Sequence, residues 1–415
     1  MTPPRRFIAG DPLRALAALT VLVYHAAFLA RDPIPASWEE ASAAYGDVLT
    51  HGLAALDAGL FVFFVLSGYL IGGPFVRAFV EGRPPPRAGA YLRNRALRIV
   101  PAFWAVVTVV VVAKAGAGSS AREVAAIYLF AQSFDLSEAA SYVGQAWTLH
   151  TEVAFYALVP VVAWIATRAA GGRLGEAGRF RLVLVACAAL FAATLALSEL
   201  HPAIGANGGG LRDRAWQTSI LAMGWAFVPG VVLALVEPRF AARLGARGGR
   251  GAAGPSGPGA GPSGPGAAPS GPGATASRLP LVLLAAGLAA LALYAATGDL
   301  ATFPPRPGIG PRLLLALGAG LVVAAPLVLQ WSEGRAWRAL DNRPLHWLGE
   351  RSYGIYLIHQ AILLEMAGWS LLAGHARAHF LLVLGTALAL TIPAAALLHR
   401  LVERPALELR ARWRR

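Results

Sequence analysis

The apolar residues of this chain are gathered into long blocks, with neither the spacing of an amphipathic helix nor the alternation of a half-buried strand. The blocks are each about 18 to 23 residues long, which is the length that a helix needs to cross a hydrocarbon core of about 30 Å. A segment inside a bilayer must satisfy its own backbone hydrogen bonds, so the pattern predicts transmembrane helices. Ten spans are predicted, near residues 13–30, 53–73, 99–115, 146–166, 181–198, 217–236, 279–297, 311–331, 353–373 and 379–401.

The composition also indicates an all-α, polytopic membrane protein. Of the 415 residues, 56% are hydrophobic and only 14% are charged, whereas about a quarter of the residues in a soluble domain are charged. The single cysteine, Cys187, lies in an apolar block, so no disulfide can form within the chain and a packed thiol is expected. The first block contains Arg14 and no cleavage pattern follows it, so a signal peptide is not predicted.

The basic residues predict how the spans are oriented. With the N-terminus in the cytoplasm, 27 of the 36 Lys and Arg residues fall in cytoplasmic segments and 8 in outside segments. This is the positive-inside distribution, so we predict a plasma or inner membrane protein with both termini cytoplasmic. The net charge of +14 then reflects topology and contact with anionic lipid headgroups. Nucleic acid is not an expected partner, because the arginines sit in short loops next to the membrane.

One segment departs from this pattern. Residues 245–277 are almost all Gly, Pro, Ala and Ser, and the sequence GPSGPGA starts at Gly254 and again at Gly261. Such a composition cannot bury a core, so the segment is predicted to be a disordered cytoplasmic linker between six spans and four. The prediction is therefore a single membrane domain over residues 1–415, interrupted by this linker and without an extra periplasmic domain.

Ionisable residues inside predicted spans are the first functional candidates, because burying a charge in a membrane is costly. Arg14 and His25 lie eleven residues apart in the first span. A helix separates them by about 16 Å along its axis and turns them to nearly the same face. Arg14 could instead anchor the helix end at the headgroups, and His25 could be a structural histidine.

Further candidates lie in four other segments. Ser67 is in the second span, and Arg95 and Arg98 precede the third at a spacing that places them on one helical face. The two arginines could fork onto ligand phosphates or contact lipid headgroups. Glu152 enters the fourth span at a depth similar to that of His25, which is its expected partner. His359 enters the ninth span and is either a structural histidine or a substrate contact.

Together these segments resemble the acyltransferase-3 family, the O-antigen and peptidoglycan acetylase type of membrane acyltransferase. The resemblance covers the whole chain apart from the linker, with six motifs in the same order. They are Arg14-x10-His25, FFVLSGYLI at 63–71, RxxRIxP at 95–101, WTLxxExxFYxxxP at 147–160, SYGIYLIH at 352–359 and ERP at 403–405. Phe61 stands where many members have a polar or acidic residue, which puts an acidic contribution from the second span in doubt.

The resemblance implies a cytoplasmic acyl-CoA donor, commonly acetyl-CoA, and a hydroxyl acceptor on a sugar or glycosylated molecule. His25 and Glu152 would then be catalytic, with His25 as general base and Glu152 orienting it. Either direct transfer or an acyl-histidine intermediate fits. No bound cofactor and no metal are expected. The residues assigned to acyl-CoA are Arg14, Arg95 and Arg98, and the further substrate or structural candidates are Ser67, Trp147, Tyr356 and His359.

The main competing interpretation is a transporter or flippase for a lipid or small polar molecule. Polar residues inside the bundle would suit it, but the sequence has no inverted repeat and no matching pair of Gly/Pro-broken spans. A structural scaffold is disfavoured by arginine, histidine and glutamate occurring together inside spans.

The predicted topology can be tested by thiol labelling on a background that lacks Cys187. Cysteines introduced in segments 31–52 and 199–216 should react with membrane-impermeant reagents in intact cells, because these segments lie outside. Cysteines in 82–92 and 245–277 should react only after permeabilisation. The reverse pattern would invert the orientation and move the acyl-CoA side with it.

Overall fold

A computed structural model describes residues 7–28, 38–114, 120–131, 143–170, 172–199, 216–250, 274–297, 308–331, 340–367 and 375–412. These residues form helices and turns and contain no strand, so the predicted all-α membrane fold is confirmed. The α-helices are α1 Gly10–Phe28, α2 Trp38–Tyr45, α3 Asp47–Ala55, α4 Ala58–Ser67, α5 Gly73–Val80, α6 Ala88–Ala113, α7 Ala121–Tyr128, α8 Trp147–Ala170, α9 Glu176–Glu199, α10 Ile220–Met223, α11 Val228–Arg250, α12 Ala274–Thr297, α13 Ile309–Trp331, α14 Arg343–Met366, α15 Ala376–Leu398 and α16 Arg404–Arg412.

Within these ranges, seven helical segments are long and apolar enough to cross a membrane. The two helices of segment 220–241, bent by 40° at their break, pass the same test when they are taken together as one span. The predicted spans 13–30 and 353–373 fall on α1 and α14, which are outside this set because they carry more polar and charged residues. Both helices are packed among others, with most of their apolar residues buried or half-buried. The total of ten spans and the cytoplasmic termini stay predictions.

Helices α1 and α14 lie side by side and run in the same direction. Near the start of both, Gly349 lies against the backbone of Asp11 so closely that a β-carbon would overlap it. Further along both, the rings of His25 and His359 meet. Seven spans are predicted between these two helices, and an odd number of crossings is what parallel neighbours require.

A second close backbone contact is built around a π-helical turn. The turn Gly68–Gly72 follows α4 directly, and Gly68 abuts the carbonyl of Phe227 while Gly230 abuts the carbonyl of Val65. Neither position has room for a side chain, so the start of α11 is seated directly on the turn. Such π-helical turns are often found at functional sites, and this one begins next to Ser67.

A second π-helical turn, His399–Glu403, connects α15 to α16. Glu403 is buried there and pairs with His399 at 2.9 Å, while Arg404 pairs with Glu408. The ERP sequence at 403–405 therefore pairs its glutamate with His399 and its arginine with Glu408. It turns a buried carboxylate inward and continues as α16.

The predicted linker is bounded by helix on both sides. Helix α11 continues to Arg250 and α12 begins at Ala274, so both helices extend into the segment 245–277. Residues 251–273 lie outside the described residues.

The contact between α1 and α14 predicts a specific sensitivity to substitution. Gly349→Ala should lower the free energy of unfolding by about 1–3 kcal/mol, because the added methyl group must push the Asp11 backbone away. Thermal unfolding of the purified protein in detergent measures this change. Gly385→Ala in α15 is the matched control, since nothing lies within 4 Å of its β-carbon position. Equal stability of the two variants would contradict the packing.

Candidate active site

Six elements enclose a cavity of about 90 Å³ inside the bundle. They are α1, α4, the π-turn after α4, α6, α8 and α14. The lining is apolar except for a group of charged and hydroxyl-bearing side chains: Arg14, Ser67, Arg95, Arg98, Thr148, Glu152, Tyr156, Ser352, Tyr353 and Tyr356. Three guanidinium groups and one carboxylate therefore face the same small space. We call this space the arginine cavity.

The cations of the cavity are unequally partnered. Arg14 pairs with Asp11, one helical turn away, at 3.1 Å. Arg95 has a buried Nε with no hydrogen-bond partner among the described residues. Arg98 lies one turn further along α6 and lines the same cavity. A buried N–H that lacks a partner costs free energy, so the cavity is electrostatically prepared for an anion.

Glu152 is held by two hydroxyl groups. Ser67 and Tyr156 both donate to its Oε1, each at 2.5 Å. Distances of this length are typical of charge-assisted bonds to a carboxylate. The prediction that His25 is the partner of Glu152 is not what the structure shows, since no bond joins them in the described part of the chain. The prediction used only the similar depth of the two residues in the membrane. Depth does not show which neighbouring helix each side chain faces.

His25 instead meets His359. The two ring nitrogens, Nδ1 of His25 and Nε2 of His359, are 2.7 Å apart, and the ring planes differ by 14°. His359 is completely buried, and its own Nδ1 lies 3.1 Å from the carbonyl of Ile355. The sequence proposed the two histidines separately, and the structure brings them together.

Tyr356 lies between the arginine cavity and the histidine pair. It lines the cavity, and its ring centre is 5.7 Å from that of His359. Its hydroxyl donates to the carbonyl of Gln145 at 2.9 Å and is 2.8 Å from the hydroxyl of Thr148. These bonds hold the ring in one orientation at the inner end of the cavity.

Two polar residues of α8, the candidate Trp147 and His150, lie outside the arginine cavity. Trp147 is half-buried against Phe64, with ring centres 6.5 Å apart, in the main hydrophobic core. His150 donates through Nδ1 to the carbonyl of Phe130 at 2.9 Å, on another face of α8. Neither residue lines the arginine cavity.

Two partners in the site were missed from the sequence, although helical spacing could have indicated both. Asp11 precedes Arg14 by three residues, and Tyr156 follows Glu152 by four. Side chains at these separations are neighbours on a helix surface. Ser352 and Tyr353 also line the cavity. They open the motif SYGIYLIH at 352–359, but no local spacing pairs them with the residues of the other helices, which are distant in sequence.

The fold and the site together define a polytopic membrane protein with an internal, arginine-lined cavity. A family model described as an acyltransferase domain, acyltransferase-3, matches residues 10–400. The chain therefore belongs to the acyltransferase-3 family of membrane acyltransferases, and the resemblance drawn from the six motifs is confirmed. Neither the comparison with curated proteins nor that with solved structures gives a match.

Proposed function

We propose that this acyltransferase moves an acyl group, in the first instance acetyl, from acyl-CoA to a hydroxyl of a carbohydrate or glycosylated acceptor. One observation carries the proposal: Arg14, Arg95 and Arg98 line one cavity between the helices, and the helix that contributes Arg14 also carries His25. The acceptor class rests on the resemblance of the motifs to those of O-antigen and peptidoglycan acetylases.

The charge of the cavity suits the donor. The phosphates of coenzyme A are strong anions, and planar guanidinium groups bind phosphate oxygens in a forked geometry. The unpartnered Nε of Arg95 supplies one such donor. Glu152 holds the opposite charge among these cations while its own oxygen is occupied by Ser67 and Tyr156. Its negative charge would offset the mutual repulsion of the three guanidinium groups before the donor binds.

The length of the donor suits the spacing of the residues. Eleven residues of helix place His25 about 16 Å from Arg14 along α1. The pantetheine arm of coenzyme A extends about 15 to 20 Å. Phosphates held among the arginines would therefore present the thioester near His25. Under the predicted orientation, the arginine cavity is on the cytoplasmic side, where acyl-CoA is found.

The reaction needs a base near that thioester. His25 would take the proton from the acceptor hydroxyl as its oxygen attacks the thioester carbonyl carbon. A carbon–oxygen bond forms, the carbon–sulfur bond breaks, and the coenzyme A thiolate leaves. The imidazolium then returns the proton to the thiolate, so the products are the ester and free coenzyme A.

The donor site is tested with Arg95→Ala in proteoliposomes supplied with acetyl-CoA and a cell-envelope glycan extract. Its KM for acetyl-CoA should rise by about tenfold or more, because a phosphate contact remote from the reacting carbon contributes mainly to binding. Arg93→Ala is the matched control, since Arg93 is an exposed arginine on the same helix. A similar rise in both variants would indicate a loss of surface charge and not of a donor site.

The base is tested with His25→Ala in the same assay. Its kcat should fall by about 100-fold or more, with the unfolding temperature preserved, because proton abstraction is lost. His51→Ala provides the control, since His51 bonds the carbonyl of Asp47 within its own helix α3 and does not line the arginine cavity. Near-normal turnover by folded His25→Ala would end the general-base proposal. Translocation of a substrate without any consumption of acetyl-CoA would instead favour a transporter.

A further inference from the structure

The contact between His25 and His359 is an in-plane hydrogen bond and not a stack. The ring centres are 5.0 Å apart and the planes are nearly parallel. The N···N distance is 2.7 Å. Adding the distance from each ring centre to its nitrogen gives the observed separation of the centres only when the two centres and the two nitrogens lie on one line. The hydrogen atom is therefore directed along the lone pair that accepts it, which is the strongest arrangement for an N–H···N bond.

The neighbouring carbonyl fixes which nitrogen carries each proton. A carbonyl oxygen can only accept, so Nδ1 of His359 must be the N–H that donates to Ile355. In a neutral imidazole, Nε2 of His359 is then the acceptor. The proton between the rings consequently belongs to Nδ1 of His25, and the lone pair of His25 is left on Nε2.

We propose that His359 is a positioning residue that holds His25 in its Nδ1–H tautomer and so presents Nε2 as the base. This inference rests on the proposed function. His359 is completely buried whereas His25 is only partly so, so His359 acts through His25 and does not touch the acceptor. When His25 takes the acceptor proton on Nε2, its Nδ1–H continues to donate to His359, now as a charge-assisted bond.

The segment that carries His359 is held by hydrogen bonds from another part of the same chain, the short turn around Gln145. The side chain of Gln145 donates to the carbonyl of Leu357 at 2.7 Å, and its backbone N–H donates to Oε1 of Gln360 at 2.9 Å. These bonds tie the short 3₁₀ turn before α8 to the turn of α14 that holds the histidine. His359 therefore has little freedom to rotate away from His25.

A neutral imidazole is well suited to this position. A carboxylate would orient His25 equally well, but it would place a full charge at a completely buried site inside a membrane bundle. An imidazole accepts the same hydrogen bond without that cost. His359 then takes the role that the orienting third group plays in a catalytic triad, and the carbonyl of Ile355 sets the tautomer of His359.

The tautomer can be read directly by ¹⁵N NMR of histidine-labelled protein in nanodiscs, with the His25 signals assigned by their loss in His25→Ala. At a pH where the rings are neutral, we expect His25 to show a protonated Nδ1 and an unprotonated Nε2. In His359→Leu this preference should be lost. An Nε2–H tautomer in the wild-type protein, or an unchanged Nδ1–H tautomer in His359→Leu, would overturn the proposal. The wild-type spectrum alone decides it if the leucine variant does not fold.

The kinetic test compares His359→Leu with His359→Gln, because glutamine still offers an acceptor oxygen. The leucine variant should lose about 10- to 100-fold in kcat, as orienting partners commonly do, with the KM for acetyl-CoA unchanged. The glutamine variant should recover most of the loss. Equal loss in two folded variants would indicate a packing role, and no loss in either would exclude any role. If His25→Ala were active, the general-base assignment would fail, yet the NMR result would still stand on its own.

Discussion

The structure depends on pairing the ionisable side chains inside the membrane with groups of opposite charge or with hydrogen-bond partners. A charged side chain at the centre of a spanning helix costs about 2.5–3.5 kcal/mol even when the surroundings adapt. Each such group in the arginine cavity therefore needs compensation from another helix or from its own. Arg14 has Asp11, and Glu152 has two hydroxyl groups. Among the described residues that line the cavity, the incomplete case is Arg95, whose buried Nε has no hydrogen-bond partner, and this is the contact that we propose for a donor phosphate.

This partnering requires helices to approach closely, and small residues permit it. Gly349 lets α14 touch the backbone of α1, and Gly68 and Gly230 let the π-turn touch α11. Helix association in membranes relies on such contacts because lipid is as apolar as the side chains it replaces. The glycines are thus part of the site: the first contact sets the register that brings His359 to His25, and the second supports the turn that follows Ser67.

Much of the architecture could be predicted from the sequence, because membrane thickness and hydropathy act on one residue at a time. The predicted blocks fall on helices of the structure, and the motif residues Arg14, Arg95, Arg98 and Glu152 do line one cavity. Depth along a helix also follows from counting residues. Counting residues also shows which side chains share a face of one helix. It does not show which other helix that face meets, because this depends on how the helices pack. For this reason the sequence paired His25 with Glu152 and overlooked His359 as its partner.

The same reasoning explains why the two histidines carry more information together than separately. A lone histidine in a span can be satisfied by almost any neighbour, so its tautomer is undetermined. Once the carbonyl of Ile355 fixes Nδ1 of His359 as a donor, each following proton position is determined in turn. The series of bonds ends on Nε2 of His25, which bonds to none of the described residues. That nitrogen belongs to a ring about 16 Å along the same helix from an arginine of the cavity. Under the proposed function, a rigid helix therefore sets both the distance that the donor must span and the position of the nitrogen that would take the proton from the acceptor hydroxyl.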